Sequence, residues 1–303
     1  MAPVTVRVPA KINLQLAVGP RRADGYHDLV TVFHAVSLFD EIIVAPAAAD
    51  RVTVTGEGAP SVPADGDNLA LRAVAALRTA VADTEAGPVH VTIAKRIPVA
   101  AGLAGGSADA AAALVACNEL WGTGLSQQEL CAVGAEVGSD VAFAMLGGTA
   151  VGRGRGERLS PALVPANQYH WVLAFAEGHL STPEVYTTLD RLRGDQMVAS
   201  PDLDAALMGA LRAGDPARVG RALSNDLQPA ALALFPALRK TLTAGREFGA
   251  LGALVSGSGP TCLFLARSAQ RALDLAVSLS GAGVCRSVLT ASGPVPGATI
   301  SSR

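Results

Sequence analysis

The stretch RIPVAAGLAGGSADAAAAL, residues 96–114, decides how this sequence is interpreted. Three glycines stand just before or beside Ser107, and an alanine-rich run follows them. The free backbone amides in the first turn of a helix bind oxyanions, and glycine lets a ligand approach the backbone closely. The pattern therefore predicts a phosphate-holding turn that leads into a helix over 107–120, with Ser107 as its cap.

The same stretch matches neither of the common phosphate-binding patterns. A P-loop of the form G-x-x-x-x-G-K-[ST] has a lysine after its last glycine, and no lysine follows here. A dinucleotide-binding turn has another glycine spacing and a ribose-binding acid further along the chain. Two interpretations remain open: an anion site whose positive charge comes from elsewhere, or a tight turn that packs small residues against a neighbouring helix.

Composition limits the classes of function. The chain has 303 residues, of which 50% are hydrophobic and 17% charged, and its formal net charge is -2. A chain of this length predicts one large domain or two closely packed ones. A net charge near zero gives no overall field that attracts nucleic acid or an anionic membrane surface, so neither is expected as a partner. Any site for a polyanion should be local.

Export and membrane insertion are not expected. The opening MAPVTVRVPAKINLQL alternates like a strand, whereas a signal peptide has a charged start and a continuous apolar run. A membrane span needs about 18 uninterrupted apolar residues, and the sequence offers no such run. The four cysteines are far apart, which indicates reduced core residues. We expect a cytoplasmic protein, either a monomer or a homodimer.

The hydrophobic pattern predicts a strand-rich opening followed by alternating helices and strands. Strands are predicted at 3–9, 11–18, 29–37, 41–45, 51–55, 89–94, 171–177 and 261–266, with a hairpin or a bulged strand at 147–159. Helices are predicted at 67–82 and 107–120, from the capping box SQQE at 126–129, and near 184–193, 202–213, 215–224, 230–246 and 268–279. The tail from residue 292 is expected to be loose.

This order of elements argues for an α+β fold with two lobes. The composition changes near 160–168, where SPALVPANQ interrupts the regular pattern. We therefore expect a first lobe over residues 1–165, which carries the glycine turn, and a second lobe over residues 166–303, which completes the cleft.

Three separated segments together supply what phosphoryl transfer needs: PAKINL at 9–14, the glycine turn, and SGSGP at 256–260. The turn PVAAGLAGGSADAA resembles the phosphate-binding motif of the GHMP kinase superfamily, approximately P-x-x-x-G-L-x-x-S-x-A. The other two segments are similar to its first and third motifs. RADGYHDL, DNLALRA and GSDVAF occur in matching order, so the resemblance runs from about residue 5 to about residue 290.

The resemblance implies a ribosomal-protein-like first lobe, a ferredoxin-like second lobe and ATP in the cleft between them. The anion at the glycine turn would be the ATP triphosphate, with Mg²⁺ and lysine charge supplied from elsewhere in the fold. The implied nucleotide contacts are Pro98, Ala100, Gly102, Leu103, Ala104, Gly105, Gly106, Ser107 and Ala108.

The alanines of this segment depart from the family pattern. Alanine stands at positions 100, 101, 104 and 108, where the family commonly has glycine or serine, and a methyl group there narrows the allowed backbone. Asp109 is a candidate magnesium contact, but an acid that favours the helix dipole is the simpler interpretation. No metal ligand is assigned.

Lys11 and Asp140 match the lysine and the catalytic aspartate of the family. A neighbouring ammonium keeps a carboxylate ionised, so the pair suits a base and an electrostatic partner for an attacking hydroxyl. Only three of the 24 basic residues are lysines, which suggests that a point charge is needed where lysine is kept. By themselves, Asp140 is equally a helix cap and Lys11 a strand-edge charge, and Lys95 is interpreted as a solvated strand end.

The acceptor site implied by the resemblance recognises a cytidine diphosphate handle. Aromatic faces stack on a base, and a histidine pairs with the polar edge of cytosine. The matching positions are Tyr26, His27, Phe33 and Tyr186, with Asn13 and Asn68 as hydrogen-bond partners of the acceptor. Phe33 is equally consistent with core packing, and a tyrosine stands at 186 where phenylalanine is commoner.

The expected reaction is ATP-dependent phosphorylation of the 2-hydroxyl of a methylerythritol linked to cytidine diphosphate, in the non-mevalonate route to isoprenoid precursors. Two other functions stay open at this point. A homoserine, mevalonate or galactose-type kinase would use the same ATP cleft, although the GYH and DNL segments argue against it. A non-catalytic nucleotide-binding or scaffold protein would keep the fold, although Lys11 and Asp140 would then have no role.

Overall fold

The computed structural model describes residues 2–81, 86–165 and 167–302. Its first sheet is built on two long antiparallel strands, β1 (Val4–Arg21) and β2 (His27–Pro46). The sequence predicted each of them as two shorter strands. The register of β1 shifts between Pro9 and Ala10, where a bulge carries the chain past a residue that has no N–H for the ladder.

Four further strands extend this sheet close to their predicted positions. They are β3 (Arg51–Gly56), β4 (Val89–Lys95), β5 (Thr149–Gly154) and β6 (Arg158–Pro161). β4 pairs antiparallel with β2, and β3 pairs parallel with β4. β5 pairs with β2 and with β6, which confirms the predicted hairpin.

Helices of the first half carry the glycine turn and its neighbours. They are α1 (Leu69–Ala80), α2 (Gly105–Trp121), α3 (Gln127–Val137) and α4 (Val141–Leu146). Both bonds of the predicted capping box at the start of α3 are present. The predicted end of the first helix at residue 82 lies outside the described residues. The sequence missed α4 because six residues are too few to display a helical period.

Alanine makes up much of α2 because this helix is packed from several sides. It contacts β1, β2, α1 and α4, and ten of its residues are buried. Small side chains allow the close approach that such packing needs. The start of α2 is thereby fixed against the strand that carries Lys11.

In the second half of the chain, the described residues form a separate four-stranded sheet and six helices. Its first elements are β7 (Tyr169–Phe175), α5 (Thr182–Arg193), α6 (Ala205–Ala213), α7 (Pro216–Ala222), β8 (Ser224–Asn225), α8 (Gln228–Leu234) and α9 (Leu238–Glu247). They are followed by β9 (Gly252–Val255), β10 (Cys262–Ala266), α10 (Ala269–Gly281), β11 (Ser287–Gly293) and β12 (Thr299–Ser302). The sheet order is β11-β7-β10-β9, antiparallel throughout.

One predicted helix of this half was wrong. Residues 230–246 form parts of two helices, α8 and α9, separated at 235–237. Pro236 lies in the break, where it removes a backbone donor and disfavours the helical conformation of the residue before it.

The predicted loose tail was also wrong. Much of it lies in the strands β11 and β12, and β12 pairs antiparallel with β1. β8 pairs parallel with β1, so two strands of the later half belong to the first sheet. The division of the chain at residue 165 stays a prediction, and Ala166 in the expected boundary lies outside the described residues.

The cysteines agree with the expected reduced state. All four are free thiols, and Cys117 and Cys262 are buried. Burial raises the pKa of each of these two thiols to about 12, so both stay neutral and unreactive. Across the described ranges, the structure contains no helix that is long and apolar enough to cross a membrane.

Candidate active site

A cavity of about 1000 Å³ opens where the first sheet, the glycine turn and the second half of the chain meet. Its walls come from β1, from the turn at 100–106, from the end of α3 with the following residues 138–140, from α5 and from residues 257–259. This volume lies at the upper end of the range for small-molecule sites. All three segments singled out in the sequence reach this one cavity.

Lys11 and Asp140 face each other in this cavity. Lys11 Nζ lies 3.8 Å from Asp140 Oδ2, and it donates hydrogen bonds to Asn13 Oδ1 at 2.9 Å and to the carbonyl of Gly102 at 3.3 Å. Lys11 is 8% exposed, whereas the Asp140 side chain is 28% exposed. The ammonium is thus fixed by the protein, while the carboxylate keeps access to a ligand.

The structure separates the two interpretations of Asp140. The residue occupies the position before α4, but its side chain makes no capping hydrogen bond. Its carboxylate therefore does not cap the start of α4. The arrangement leaves a partly exposed carboxylate beside an ammonium, a pairing that is compatible with a base and an electrostatic partner.

The glycine turn has a strained backbone at two of its alanines. Ala100 and Ala104 have φ values of 54° and 57°, in the left-handed region that L-residues other than glycine avoid. Glycine would adopt this conformation without the steric cost that a Cβ brings. Ala104 also occupies the position before α2, so the expectation that Ser107 caps this helix was wrong: Ser107 is its third residue.

The turn is held against the third motif by close contacts. Ser256 Oγ donates to the carbonyl of Gly102 at 3.1 Å, and Thr261 Oγ1 donates to the carbonyl of Ala101 at 2.7 Å. Gly102 has a φ of 75°, and a Cβ there would collide with the carbonyl oxygen of Ser256. Only glycine fits this approach.

A buried ion cluster lies beneath the turn. Lys95 Nζ contacts Asp40 Oδ2 at 2.5 Å and Asp109 Oδ2 at 2.8 Å, and all three residues are buried. The interpretation of Lys95 as a solvated strand end was therefore wrong, because this residue ends β4 on its inward face. A Cβ on Gly105 would lie 3.1 Å from Lys95 Nζ, so the lysine packs directly against the glycine turn.

The two carboxyls of this cluster, those of Asp40 and Asp109, differ in their hydrogen bonds. Asp40 Oδ1 also accepts hydrogen bonds from the backbone of Arg96 and Ile97, whereas Asp109 Oδ1 is buried and has no hydrogen-bond partner among the described residues. Burial raises the pKa of Asp109 to about 8, although the nearby Lys95 ammonium opposes this shift. Burial by itself lowers the pKa of Lys95, but the two carboxyls outweigh it and the net pKa is raised.

A second cavity of about 210 Å³ lies on the other side of the turn. Asn68, Pro98, Lys95 and Asp109 line it, and Ala100, Gly105 and Gly106 line both cavities. The side-chain amide of Asn68 caps α1 through Ala70 and donates to the carbonyl of Pro63. The predicted contact of Asn68 with the acceptor gains no support from this position and stays a prediction.

The other predicted nucleotide contacts differ in their exposure. Gly102 and Ala104 line the larger cavity. Leu103 and Ala108 are each 1% exposed and pack in the main core, so only their backbone is available to a ligand. Ser107 is half-buried at the start of α2.

One end of the larger cavity carries the predicted base-binding residues. The ring of His27 lies 5.1 Å from the ring of Tyr186, centroid to centroid. Tyr26 is 56% exposed, and the guanidinium of Arg155 lies 5.1 Å from its ring. Such a group of rings can hold a planar base.

Phe33 and Asn13 have mixed roles. Phe33 lines the cavity but is 3% exposed, and its ring stacks on Phe143 at 4.8 Å, which agrees with core packing. Asn13 accepts from Lys11 and donates to Thr31 Oγ1 at 2.8 Å. Asn13 therefore orients the lysine, and its amide is already engaged within the protein.

Sequence reasoning missed several residues of the cavity. Asp190, Arg155, Thr182 and Ser258 line it, and Thr182 is joined to Ser258 by a hydrogen bond of 2.8 Å. Thr182 follows the helix-starting serine, and Ser258 lies inside the recognised SGSGP segment, so both were within reach of the motif analysis. Asp190 carried no local signal, because its partner His27 lies 163 positions away.

Comparison with known proteins agrees with this geometry. The family model described as GHMP kinases N terminal domain matches residues 68–148, and the model described as GHMP kinases C terminal matches residues 207–285. Both halves of the fold are thus those of a GHMP kinase, and the predicted α+β, two-lobed class is confirmed.

The curated relatives extend the match along the whole chain. A 4-diphosphocytidyl-2-C-methyl-D-erythritol kinase of Nocardia farcinica is 58% identical over 302 residues, which cover 99% of this chain and 96% of that protein. The enzyme of the same name from Mycolicibacterium smegmatis is 56% identical, with coverage of 98% and 92%. The chain belongs to this family of 4-diphosphocytidyl-2-C-methyl-D-erythritol kinases within the GHMP kinases.

Solved structures show the same relationship. A crystal structure of a 4-(cytidine 5'-diphospho)-2C-methyl-D-erythritol kinase is 34% identical with a TM-score of 0.77, and the match covers 95% of this chain and 98% of that one. Homoserine kinase from Cytophaga hutchinsonii also gives a TM-score of 0.77, at 20% identity over 99% of this chain and 98% of that one. The second likeness concerns the fold alone.

Proposed function

We propose that this protein transfers the γ-phosphoryl group of ATP to the 2-hydroxyl of 4-diphosphocytidyl-2-C-methyl-D-erythritol. The observation that carries the proposal is the 3.8 Å pairing of Lys11 Nζ with Asp140 Oδ2 beside the glycine turn. Transfer to an alcohol needs a base for the hydroxyl proton and positive charge near the transferred group. The pair supplies both at one place in the cavity.

Asp140 is the proposed base. Its carboxylate is partly exposed to the cavity and makes no capping bond, so it is free to accept the proton of the acceptor hydroxyl. Lys11 is fixed by Asn13 and Gly102, which holds its charge at one point. We propose that its ammonium stabilises the hydroxyl oxygen as the proton leaves for Asp140.

The glycine turn is the proposed holder of the triphosphate. The backbone amides of Gly105, Gly106 and Ser107 open α2, where the helix dipole favours an anion. A Cβ on Gly105 would meet Ile97 and Lys95 Nζ at 3.1 Å, so this position has little room for a side chain and offers its backbone instead. The smaller cavity adjoins the turn, and we propose it for the nucleoside part of ATP.

Mg²⁺ fits this site as a companion of ATP. The described residues contain no group of three or more His, Cys, Asp or Glu side chains that could hold a metal. Magnesium bound mainly through substrate phosphates needs only one or two protein oxygens. The Ser107 hydroxyl at the start of α2 is the proposed oxygen, and the bound ion would neutralise charge on the phosphates. Asp109 is not proposed, because it is buried against Lys95.

The opposite end of the cavity is the proposed site of the cytidine handle. Tyr26, His27 and Tyr186 surround it, with Phe33 contributing its cavity-facing edge. The rings and the Lys11–Asp140 pair line the same cavity. A cytosine held at the rings would therefore direct the alcohol attached to it towards Asp140.

Product analysis tests the proposed reaction. The purified protein is incubated with ATP, Mg²⁺ and the cytidylated methylerythritol, and the position of the new phosphate is read by phosphorus NMR. Homoserine and mevalonate serve as competing acceptors. Phosphate on the C2 hydroxyl of the cytidylated substrate is expected. Phosphorylation of another acceptor in preference, or of none, would refute the proposal.

We further propose that the protein acts in the cytoplasm on dissolved small molecules, as a monomer or homodimer and without nucleic acid. The net charge of -2 supports this, because it provides no attraction to polyanions. Light scattering coupled to size-exclusion chromatography distinguishes the two assembly states.

A further inference from the structure

His27 and Asp190 form a hydrogen-bonded pair at the base-binding end of the larger cavity. His27 is the first residue of β2 and is 6% exposed. Its Nε2 lies 2.8 Å from Oδ1 of Asp190, which lies near the end of α5. Tyr186 precedes Asp190 by four residues on the same helix, so both face the histidine. α5 therefore supplies both a ring beside His27 and a carboxylate bonded to it.

The pair determines which nitrogen of His27 carries the proton. An ionised carboxylate only accepts hydrogen bonds, so the nitrogen that faces Asp190 is the protonated one. In the neutral imidazole, the other nitrogen then has a free lone pair. Nδ1 is that nitrogen, and among the described residues it has no hydrogen-bond partner.

Nδ1 also keeps access to the cavity. His27 lines the cavity. Among the described residues, its Nδ1 is not one of the unpartnered side-chain atoms that are fully buried, so this nitrogen is partly accessible. A lone pair in this position can accept a hydrogen bond from a ligand. The base edge that suits it carries an N–H donor.

Cytosine and uracil differ in this respect. Cytosine carries an amino donor at position 4, whereas the corresponding group of uracil-type bases is a carbonyl acceptor. An imidazole with Nδ1 unprotonated selects the amino group, and the other tautomer would select the carbonyl. The choice between the two bases thus depends on the proton on the far side of the ring.

We infer that Asp190 is a positioning residue that holds the proton of His27 on Nε2 and thereby makes Nδ1 an acceptor selective for the amino group of cytosine. The inference rests on the proposed function for the presence of a cytidine handle. Asp190 acts through His27 and does not contact the base. Its removal should therefore change base selection without changing the phosphoryl-transfer step.

The variant Asp190→Asn tests this inference. The amide can offer either an oxygen or an N–H to His27 Nε2, so the tautomer is no longer fixed. Long-range proton–nitrogen NMR of the histidine-labelled protein should show Nε2 protonated in the original protein and a mixture in the variant. The His27 signal is assigned from its absence in His27→Gln.

Binding and kinetics supply the second readout. Titration with cytidine diphosphate and with uridine diphosphate should show affinity for the cytidine compound lowered about tenfold, the effect of one hydrogen bond. The preference over the uridine compound should shrink by a similar factor. The kcat with saturating cytidylated substrate and the KM for ATP should stay within about twofold, since no group at the phosphoryl end changes.

Two further variants control for structure. Glu184→Gln removes an exposed carboxylate from the same helix and should leave base preference unchanged. Asp190→Glu restores an acceptor-only group and should recover part of the cytidine preference.

Two results would overturn the inference: a protonated Nδ1 in the original protein, or an unchanged cytidine preference in Asp190→Asn. The proposed function fails separately. A protein that prefers cytidine diphosphate through this pair but forms no phosphorylated product would refute the kinase reaction and leave the role of Asp190 standing.

Discussion

Lys11 Nζ and Asp140 Oδ2 lie 3.8 Å apart. The lysine is fixed by hydrogen bonds to Asn13 and Gly102, and the carboxylate is open to the cavity. The two residues come from an early strand and from a loop before a short helix, so only the folded chain brings them together. Their unequal exposure suits them to different tasks, one of holding charge and one of moving a proton.

Removal of the Asp140 charge should stop turnover while leaving nucleotide binding intact. In Asp140→Asn, we expect kcat to fall at least about 100-fold, the scale of a lost general base. ATP affinity, measured by calorimetry, should stay near its original value because the glycine turn is unchanged. Asp195→Asn, at an exposed position, is the control. Near-normal turnover in Asp140→Asn would remove this residue from the mechanism.

His27→Ala should impair the acceptor far more than ATP. The ring lines the cavity beside Tyr186, in the proposed cytidine site, and is not part of the glycine turn, so its loss should weaken binding of the acceptor and not of ATP. We expect the KM for the cytidylated substrate to rise at least about tenfold with little change in the KM for ATP. His179→Ala alters an exposed histidine and serves for comparison. An equal rise in both KM values would mean that the handle binds elsewhere.

Gly102→Ala should destabilise the protein more than an equally left-handed glycine elsewhere. Gly102 and Gly122 have φ values of 75° and 63°, but a Cβ at 122 meets nothing within 4 Å, whereas one at 102 collides with Ser256. Gly122→Ala should cost about 1–2 kcal/mol of unfolding free energy for the backbone strain. Gly102→Ala should cost more, as judged by urea unfolding. Equal costs would show that the approach of Ser256 is unimportant.

Ala104→Gly should stabilise the chain. Ala104 has a φ of 57°, and glycine relieves most of the resulting strain. This relief stabilises the folded state by more than the greater entropy of a glycine stabilises the unfolded state. We expect a gain of up to about 1 kcal/mol, measured by urea unfolding. Ala108→Gly provides the contrast, because this alanine is in regular helix and should lose about 1 kcal/mol. A loss of stability in both variants would contradict the strain at 104.

Asp109 should make stability fall as pH rises. Its pKa is about 8 in the folded protein, against an ordinary value of 3.8, so between these values the unfolded chain has lost a proton that the folded chain retains. Unfolding is therefore favoured progressively as the pH rises from the ordinary pKa of this carboxyl towards its raised pKa in the folded protein. Asp109→Asn should flatten this slope in urea unfolding at successive pH values, whereas the exposed Asp274→Asn should not. Identical slopes in Asp109→Asn and the original protein would refute the protonated carboxyl.

The sequence revealed the parts of the site that lie in continuous motifs. The glycine turn was found because residue type and local spacing carried the signal, whereas Lys11 and Asp140 were assigned through the family resemblance; all three line one cavity. The resemblance placed Tyr26 and His27 there as well. Segments such as 9–14 and 256–261 thus predict chemistry well before their geometry is known.

The sequence failed where a partner lies far along the chain. Lys95 was interpreted as a solvated strand end because no residue near it in sequence indicates its partner Asp40, which lies 55 positions earlier. Asp190 was missed for the same reason. The tail was thought loose because its pairing partner, β1, lies at the other end of the sequence. Burial and long-range pairing decide all three cases, and local periodicity contains neither.

The pairing of β8 and β12 with β1 has a mechanical consequence. A protease that cuts at the exposed Leu163, between β6 and β7, would break the chain without releasing two fragments. The later fragment would stay attached through its hydrogen bonds to the strand that carries Lys11. The nicked protein would migrate as one species until a denaturant separated the strands.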